Sequence, residues 1–213
     1  MCRHSGDMQP ATEPPDRQVT ERRRRAALAG HRDDVETARR ALADEAAPVR
    51  ATALGALDRL GALRDEEVAA ALTDPEAEVR RRACELAARR PRLDCAAALS
   101  DPDPGVVEVA AWAAGERGDP AAVDALSRLA VPATGHADPL CREAAVAALG
   151  AIGDPSGLPA VLAALEDKPA IRRRAALSLA AFSGPEVDAA LDRCLADRDW
   201  QVRQIAEDLL SED

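Results

Sequence analysis

The sequence predicts an all-α fold and, within that class, an α-solenoid of antiparallel helix pairs. Three observations carry this. A phrase recurs six times: an Arg, an Ala three residues later, an apolar residue seven later and usually a small residue or Gly at eleven. Its Arg position is filled by Arg50, Arg80, Val107, Arg142, Arg172 and Arg203, at spacings of 30, 27, 35, 30 and 31 residues. A period near thirty marks a repeat array, in which each unit buries its apolar face only against its neighbours. Composition is the second observation. Of 213 residues 47% are hydrophobic, but only 1% are aromatic, and much of the apolar content is Ala, the strongest helix former. The third is punctuation that falls at the same phase in successive copies.

Residues 1–16, with Ser5, Gly6, Pro10, Pro14 and Pro15, have no apolar period and read as a disordered tail. Residues 17–213 read as the solenoid. Gln18–Ala29 is expected as a capping helix and Asp33–Ala43 as the next. First helices then start near Pro48, Ala77, Pro104, Pro139, Pro169 and Trp200. Second helices are expected over Asp65–Leu72, Leu93–Leu99, Ala121–Leu129, Gly157–Leu165 and Glu186–Leu195. Asp103, Asp138 and Asp199 stand where an N-cap carboxylate accepts free helix N–H groups. Pro104, Pro139 and Pro169 fill first helical positions, where a missing N–H costs nothing. Gly61, Gly118 and Gly153 stand where the first helices end in a left-handed residue. Asp119-Pro120 and Asp154-Pro155 open second helices. Pro132–Asp138 reads as an inserted loop.

The Ala at plus three occurs in all six copies, as Ala53, Ala83, Ala110, Ala145, Ala175 and Ala206, which predicts helices pressed together there. An acid stands six before the Arg in four copies: Asp44/Arg50, Asp74/Arg80, Glu166/Arg172 and Asp197/Arg203. The third copy keeps Asp101 but has Val107, and the fourth has His136 in the acid's place. Such acids are expected to bond a neighbouring repeat's Arg and tie the repeats together.

The formal charge of −10, at a pI near 4.9, argues against nucleic acid, whose binders present a basic face. Five scattered Cys (Cys2, Cys84, Cys95, Cys141 and Cys194) without a Cys-x-x-Cys fit a reducing compartment, and the four inside the repeats read as small apolar residues. The absence of an apolar signal core or a membrane-length apolar run reads as a soluble, cytoplasmic protein without membrane partners.

The segments Asp74–Ala83, Leu140–Asp154 and Asp197–Arg203 resemble HEAT repeats of the short variety found in phycobilisome-lyase-type proteins, and the likeness spans about residues 30 to 210. The resemblance implies a right-handed α-solenoid, an armadillo/HEAT-type superhelix with second helices lining its concave side. It also implies a protein-binding role for most members and bilin attachment for a few. The di-iron deoxyhypusine hydroxylases of similar fold use His-Glu pairs, whereas His4, His31 and His136 are followed by Ser5, Arg32 and Ala137. HEAT-like alkylpurine DNA glycosylases use a basic, aromatic face, and this chain has only Trp112, Trp200 and Phe182. A bilin lyase subunit holds a tetrapyrrole, and no residue maps to that task.

The sequence thus offers no catalytic, cofactor-binding or metal-binding residues; Met1-Cys-Arg-His4 reads as plain tail and Cys141 as a substitute for Val or Ile. Candidate partner-binding residues are Trp112, at a variable phase suited to a binding hot spot, and Arg81, Arg82, Arg173 and Arg174 of the Arg80–Arg82 and Arg172–Arg174 triplets. Arg22–Arg25 read as a solvated face. The expected function is a non-enzymatic scaffold or adaptor presenting an extended helical surface to a protein or peptide. The alternative is a bilin-lyase-like or other enzyme-associated regulatory subunit.

Overall fold

A computed structural model describes residues 15–211; most of the expected tail, with Cys2 and His4, lies outside them. The described residues form twelve α-helices joined by 3-10 turns and loops, with no strand among them. They fall into two compact units, one through Leu63 and one from Arg64.

The first unit holds α1 (Pro15–Ala29), α2 (Val35–Arg40) and α3 (Ala47–Arg59). The expected tail boundary at residue 16 moves back, because α1 already includes Pro15 and Asp16. An acid in the first turn is favoured by the helix dipole, and the Asp16 carbonyl accepts the Thr20 hydroxyl at 2.8 Å. Asp34 caps α2 by accepting the Thr37 N–H at 2.9 Å. Ala26 and Ala29 of α1 are buried with Ala53 and Leu57 of α3, and α1 packs directly on α3.

The second unit runs α4 (Asp65–Ala71), α5 (Ala77–Ala87), α6 (Pro104–Arg117), α7 (Val123–Ala130), α8 (Pro139–Ile152), α9 (Leu158–Ala164), α10 (Pro169–Ser178), α11 (Pro185–Cys194) and α12 (Trp200–Ser211). First helices thus begin at or within one residue of the expected positions. Asp103, Asp138 and Asp199 accept backbone N–H groups of the first turns of α6, α8 and α12. Gly118 and Gly153 end α6 and α8 at φ of +59° and +67°, the left-handed region that only Gly enters without a Cβ penalty.

One expected element is absent. Leu93–Leu99 is not an α-helix; a 3-10 turn over Ala96–Ser100 stands in its place. The 27-residue spacing leaves little chain here, and Pro91 brings no N–H. Arg117, from α6, donates to the carbonyls of Leu93 and Pro91, so these carbonyls are satisfied without a helix.

A single apolar cluster runs through this unit from Cys84 to Ala206. The plus-three Ala residues of both units are all at most 1% exposed. The position before the Arg is buried in every copy, with Cys141 taking the place of Val49, Val79, Val106, Ile171 and Val202. Parallel first helices of successive repeats pack side by side: α5 on α6, α6 on α8, α8 on α10, and α10 on α12.

Candidate functional site

The ladder residues form clasps between repeats. Arg80 gives Nε and Nη2 to the Asp101 carboxylate at 2.7 and 2.8 Å, and Nη1 to the Asp74 carbonyl at 2.8 Å. Arg142 gives Nε and Nη2 to Asp167 at 2.7 and 3.0 Å, and Nη1 to the His136 carbonyl at 2.7 Å. Arg172 gives Nε and Nη2 to Asp197 at 3.0 and 2.9 Å, and Nη1 to the Asp167 carbonyl at 3.2 Å. Each guanidinium therefore holds its own loop by a backbone carbonyl and the following repeat by a bidentate carboxylate.

The acids reach across to a neighbouring repeat's Arg, and the direction is now fixed. The acid of one copy serves the Arg of the copy before it, and in the fifth copy Asp167, not the exposed Glu166, takes that place. Arg50 and Arg203 bind the carbonyls of Asp44 and Asp197 at 2.9 and 2.8 Å. The Asp44 carboxylate receives Arg22 of α1, which also reaches Glu45, so Arg22 is not part of a merely solvated face. The Asp44, Asp74, Asp101 and Asp197 carboxylates also each accept the N–H two residues on. His136 keeps that turn-forming task by accepting the Asp138 N–H on Nδ1 at 3.1 Å.

The electrostatics follow from the clasps. Hydrogen bonds from Arg80, Arg142 and Arg172 hold Asp101, Asp167 and Asp197 below the usual carboxylate range, and the partner guanidinium groups are raised in turn. Burial pushes the Cys141 thiol up to about 11 and Cys84 up to about 12, the reverse of an activated nucleophile. The Cys141 thiol donates to the Pro104 carbonyl at 3.2 Å.

A groove of about 450 Å³ lies between α6 and α8. Trp112, 43% exposed, forms its wall on α6 beside Val109. Its floor is made of small residues, with Gly115 on α6 and Ala144, Ala147, Ala148 and Ala151 on α8. The floor is shallow because the helices nearly touch: a Cβ on Gly115 would stand 2.9 Å from the Ala148 Cα. Leu140 closes the end near the start of α8, and Glu108, Glu116 and Glu143 stand around the rim. A second trough, between α8 and α10, shares Ala147, Ala151 and Arg174 and adds the exposed Leu177. The low Ala face of α8 is thus flanked by Trp112 on one side and by Arg174 and Leu177 on the other.

The structure brings two of the candidate partner-binding residues, Trp112 and Arg174, to one surface. Three of the four candidate arginines have intramolecular partners. Arg82 pairs with Glu85 at 2.5 Å, Arg173 with Asp199 at 3.3 Å and Gln201 at 2.5 Å, and Arg174 with Glu143 at 3.8 Å. The triplets therefore do more for the repeats than the ladder requires. Arg81 is exposed on α5, without an ion pair among the described residues. The sequence reading passed over Leu140 and the rim acids as candidates. Phase does mark the groove's face: Val109, Ala144 and Arg174 all stand two after the Arg position, and Trp112, Ala147 and Leu177 five after it.

The fold and this surface define an all-α helical-repeat protein whose exposed apolar groove is built by first helices. The HEAT-repeat family profile matches residues 66–133 and 130–211, more than half of the chain, and the chain belongs to that family. Among solved structures, YibA of E. coli is similar at 16% identity and a TM-score of 0.61, over 95% of this chain and 77% of that one. The complex of CpcE and CpcF of phycocyanin lyase from Nostoc is similar at 21% identity and a TM-score of 0.59, over 97% of this chain and 79% of that one. At these identities the likeness is one of fold. No curated protein matches the chain by sequence. No helix among the described residues is long and apolar enough to cross a membrane.

Proposed function

We propose that this protein is a non-enzymatic interaction scaffold that receives a protein or peptide segment on the first-helix face of α6, α8 and α10. The observation that carries the reading is Trp112, a large aromatic 43% exposed beside a floor of Gly and Ala. Roughly 100 Å² of ring surface remains open on a side chain of this size. Covering it contributes on the order of 2–3 kcal/mol at about 25 cal/mol per Å². An exposed Trp in an apolar patch rimmed by polar groups is the arrangement from which binding hot spots are built.

Affinity capture from the source cells with the parent protein and with Trp112→Ala tests this. A specific partner that is retained by the parent and weakened roughly 10–100-fold by the variant supports the reading. The variant should melt within a few degrees of the parent, because the ring is half exposed. Equal retention by both proteins would overturn the placement of the surface.

The fold likeness to the CpcE–CpcF complex favours a second reading, a bilin-lyase-like or other enzyme-associated subunit. A linear tetrapyrrole brings carboxylate side chains of its own, and a rim bearing Glu108, Glu116 and Glu143 opposes them. Mixing the purified protein with a linear tetrapyrrole and finding a shifted, saturable visible band would reverse this preference.

A further inference from the structure

We infer that the segment docking in the α6–α8 groove is a basic amphipathic helix. Its apolar anchor lies against Trp112, and a Lys or Arg one turn to either side meets Glu108 and Glu116. This rests on the docking reading above. Glu108, Trp112 and Glu116 are spaced i, i+4 and i+8 on α6, so they form one row along the groove. The two acids stand about 12 Å apart at 1.5 Å rise per residue, with the aromatic midway between them. The third rim acid, Glu143, is already approached by Arg174 at 3.8 Å. Among the described residues, neither Glu108 nor Glu116 has an ion-pair partner.

An occupant complementary to acid, apolar and acid along 12 Å presents cation, apolar and cation at the same repeat. A helix meets that demand with Lys or Arg at i−4 and i+4 around an apolar residue at i, since those positions share a face. The Ala floor suits it as well, because a row without long side chains lets a second helix come close. The chain's own basic helix does not serve from a second copy. Ala26 and Ala29 of α1 are buried within its own unit, and Arg22 is held by Asp44 and Glu45.

The test uses the full chain carrying Trp200→Phe, which leaves Trp112 as the sole indole reporter; Trp200 is 64% exposed at the start of α12 and does not line the groove. Three Ala-based helical peptides of about 15 residues are titrated. One has Leu flanked by Lys at i−4 and i+4, one has Glu at those places, and one has Lys moved to i−2 and i+2. The first should shift Trp112 emission saturably and bind about tenfold more tightly than either other peptide, with an advantage that shrinks in salt. Glu108→Lys/Glu116→Lys, with unchanged circular dichroism, should reverse the preference toward the Glu peptide. Equal affinity for all three peptides, or a preference that the double variant leaves in place, overturns the cation assignment while docking at Trp112 stands. If no peptide perturbs Trp112, the inference fails, and the docking reading is then judged separately by the Trp112→Ala capture. Self-association that competes with the peptides would make a second copy the occupant and overturn the inference too.

Discussion

At the scale of single residues, the structure is organised by arginines that face two ways. The Arg142 and Asp167 side chains are only 7% and 5% exposed, so their pair is desolvated and its halves depend on each other. Removing one partner leaves a buried charge unmatched, which costs roughly 3–5 kcal/mol. Arg142→Ala and Asp167→Asn should each lower the unfolding free energy measured in denaturant by that order. The double variant should lose far less than the sum of the two, since they share one interaction. Additive losses would show that the pair is not coupled. Asp101, Asp167 and Asp197 are depressed in the folded state, so their contribution is fully present above the unfolded carboxylate value of about 3.9. It is lost as pH falls through the folded values. Stability measured from pH 6 downward should therefore fall steeply below about pH 4, and Asp167→Asn should flatten that fall. The clasp was half legible in sequence. The acids six before the Arg in four copies were visible and expected to reach a neighbouring repeat, but the contact at that spacing is to a carbonyl, which every residue owns. The carboxylate answers to an Arg 21 or 25 residues upstream. Val107 and His136 had looked like two separate departures. Val107 removes the Arg, and His136 removes the acid that such an Arg would have met.

At the scale of helices, boundaries were the most legible feature, because they depend on local chemistry. A carboxylate at Asp103 or Asp138, a Pro after it and a left-handed Gly118 or Gly153 act within one turn of chain. In place of the second helix expected at Leu93–Leu99, the carbonyls of Pro91 and Leu93 are met by a distant side chain, Arg117, whose reach no local pattern records. How closely helices pack depends on small residues. Gly115→Ala places a Cβ 2.9 Å from the Ala148 Cα, a backbone atom that yields only if α6 or α8 shifts. Ala145→Leu introduces three carbons at a site with no exposure. Each should lower stability by about 1–3 kcal/mol in chemical denaturation. Unchanged midpoints would mean that these helices are not in register as described.

At the scale of the molecule, the groove gathers residues from helices about 35 positions apart, and of its lining only Trp112 and Arg174 stood out along the chain. Small residues such as Ala144 and Ala147 look like core in a sequence; only packing shows that their face is a floor open to solvent. The second unit has one continuous apolar cluster from Cys84 to Ala206, so residues 64–213 alone should unfold in a single cooperative transition. A gradual, non-cooperative melt would count against this unit as a folding body. Val107 and His136 have a further consequence. Among the described residues no ion pair joins α6 to α8, and these helices are held by Ala110, Ala145, Ala148 and the Gly115 contact instead. The groove therefore opens at a junction that no charged clasp crosses among the described residues, held by apolar packing and the Cys141–Pro104 hydrogen bond. Acid or salt that loosens the charged clasps elsewhere leaves the spacing of its walls in place, so the shape of the binding surface and the protonation of the ladder are set independently.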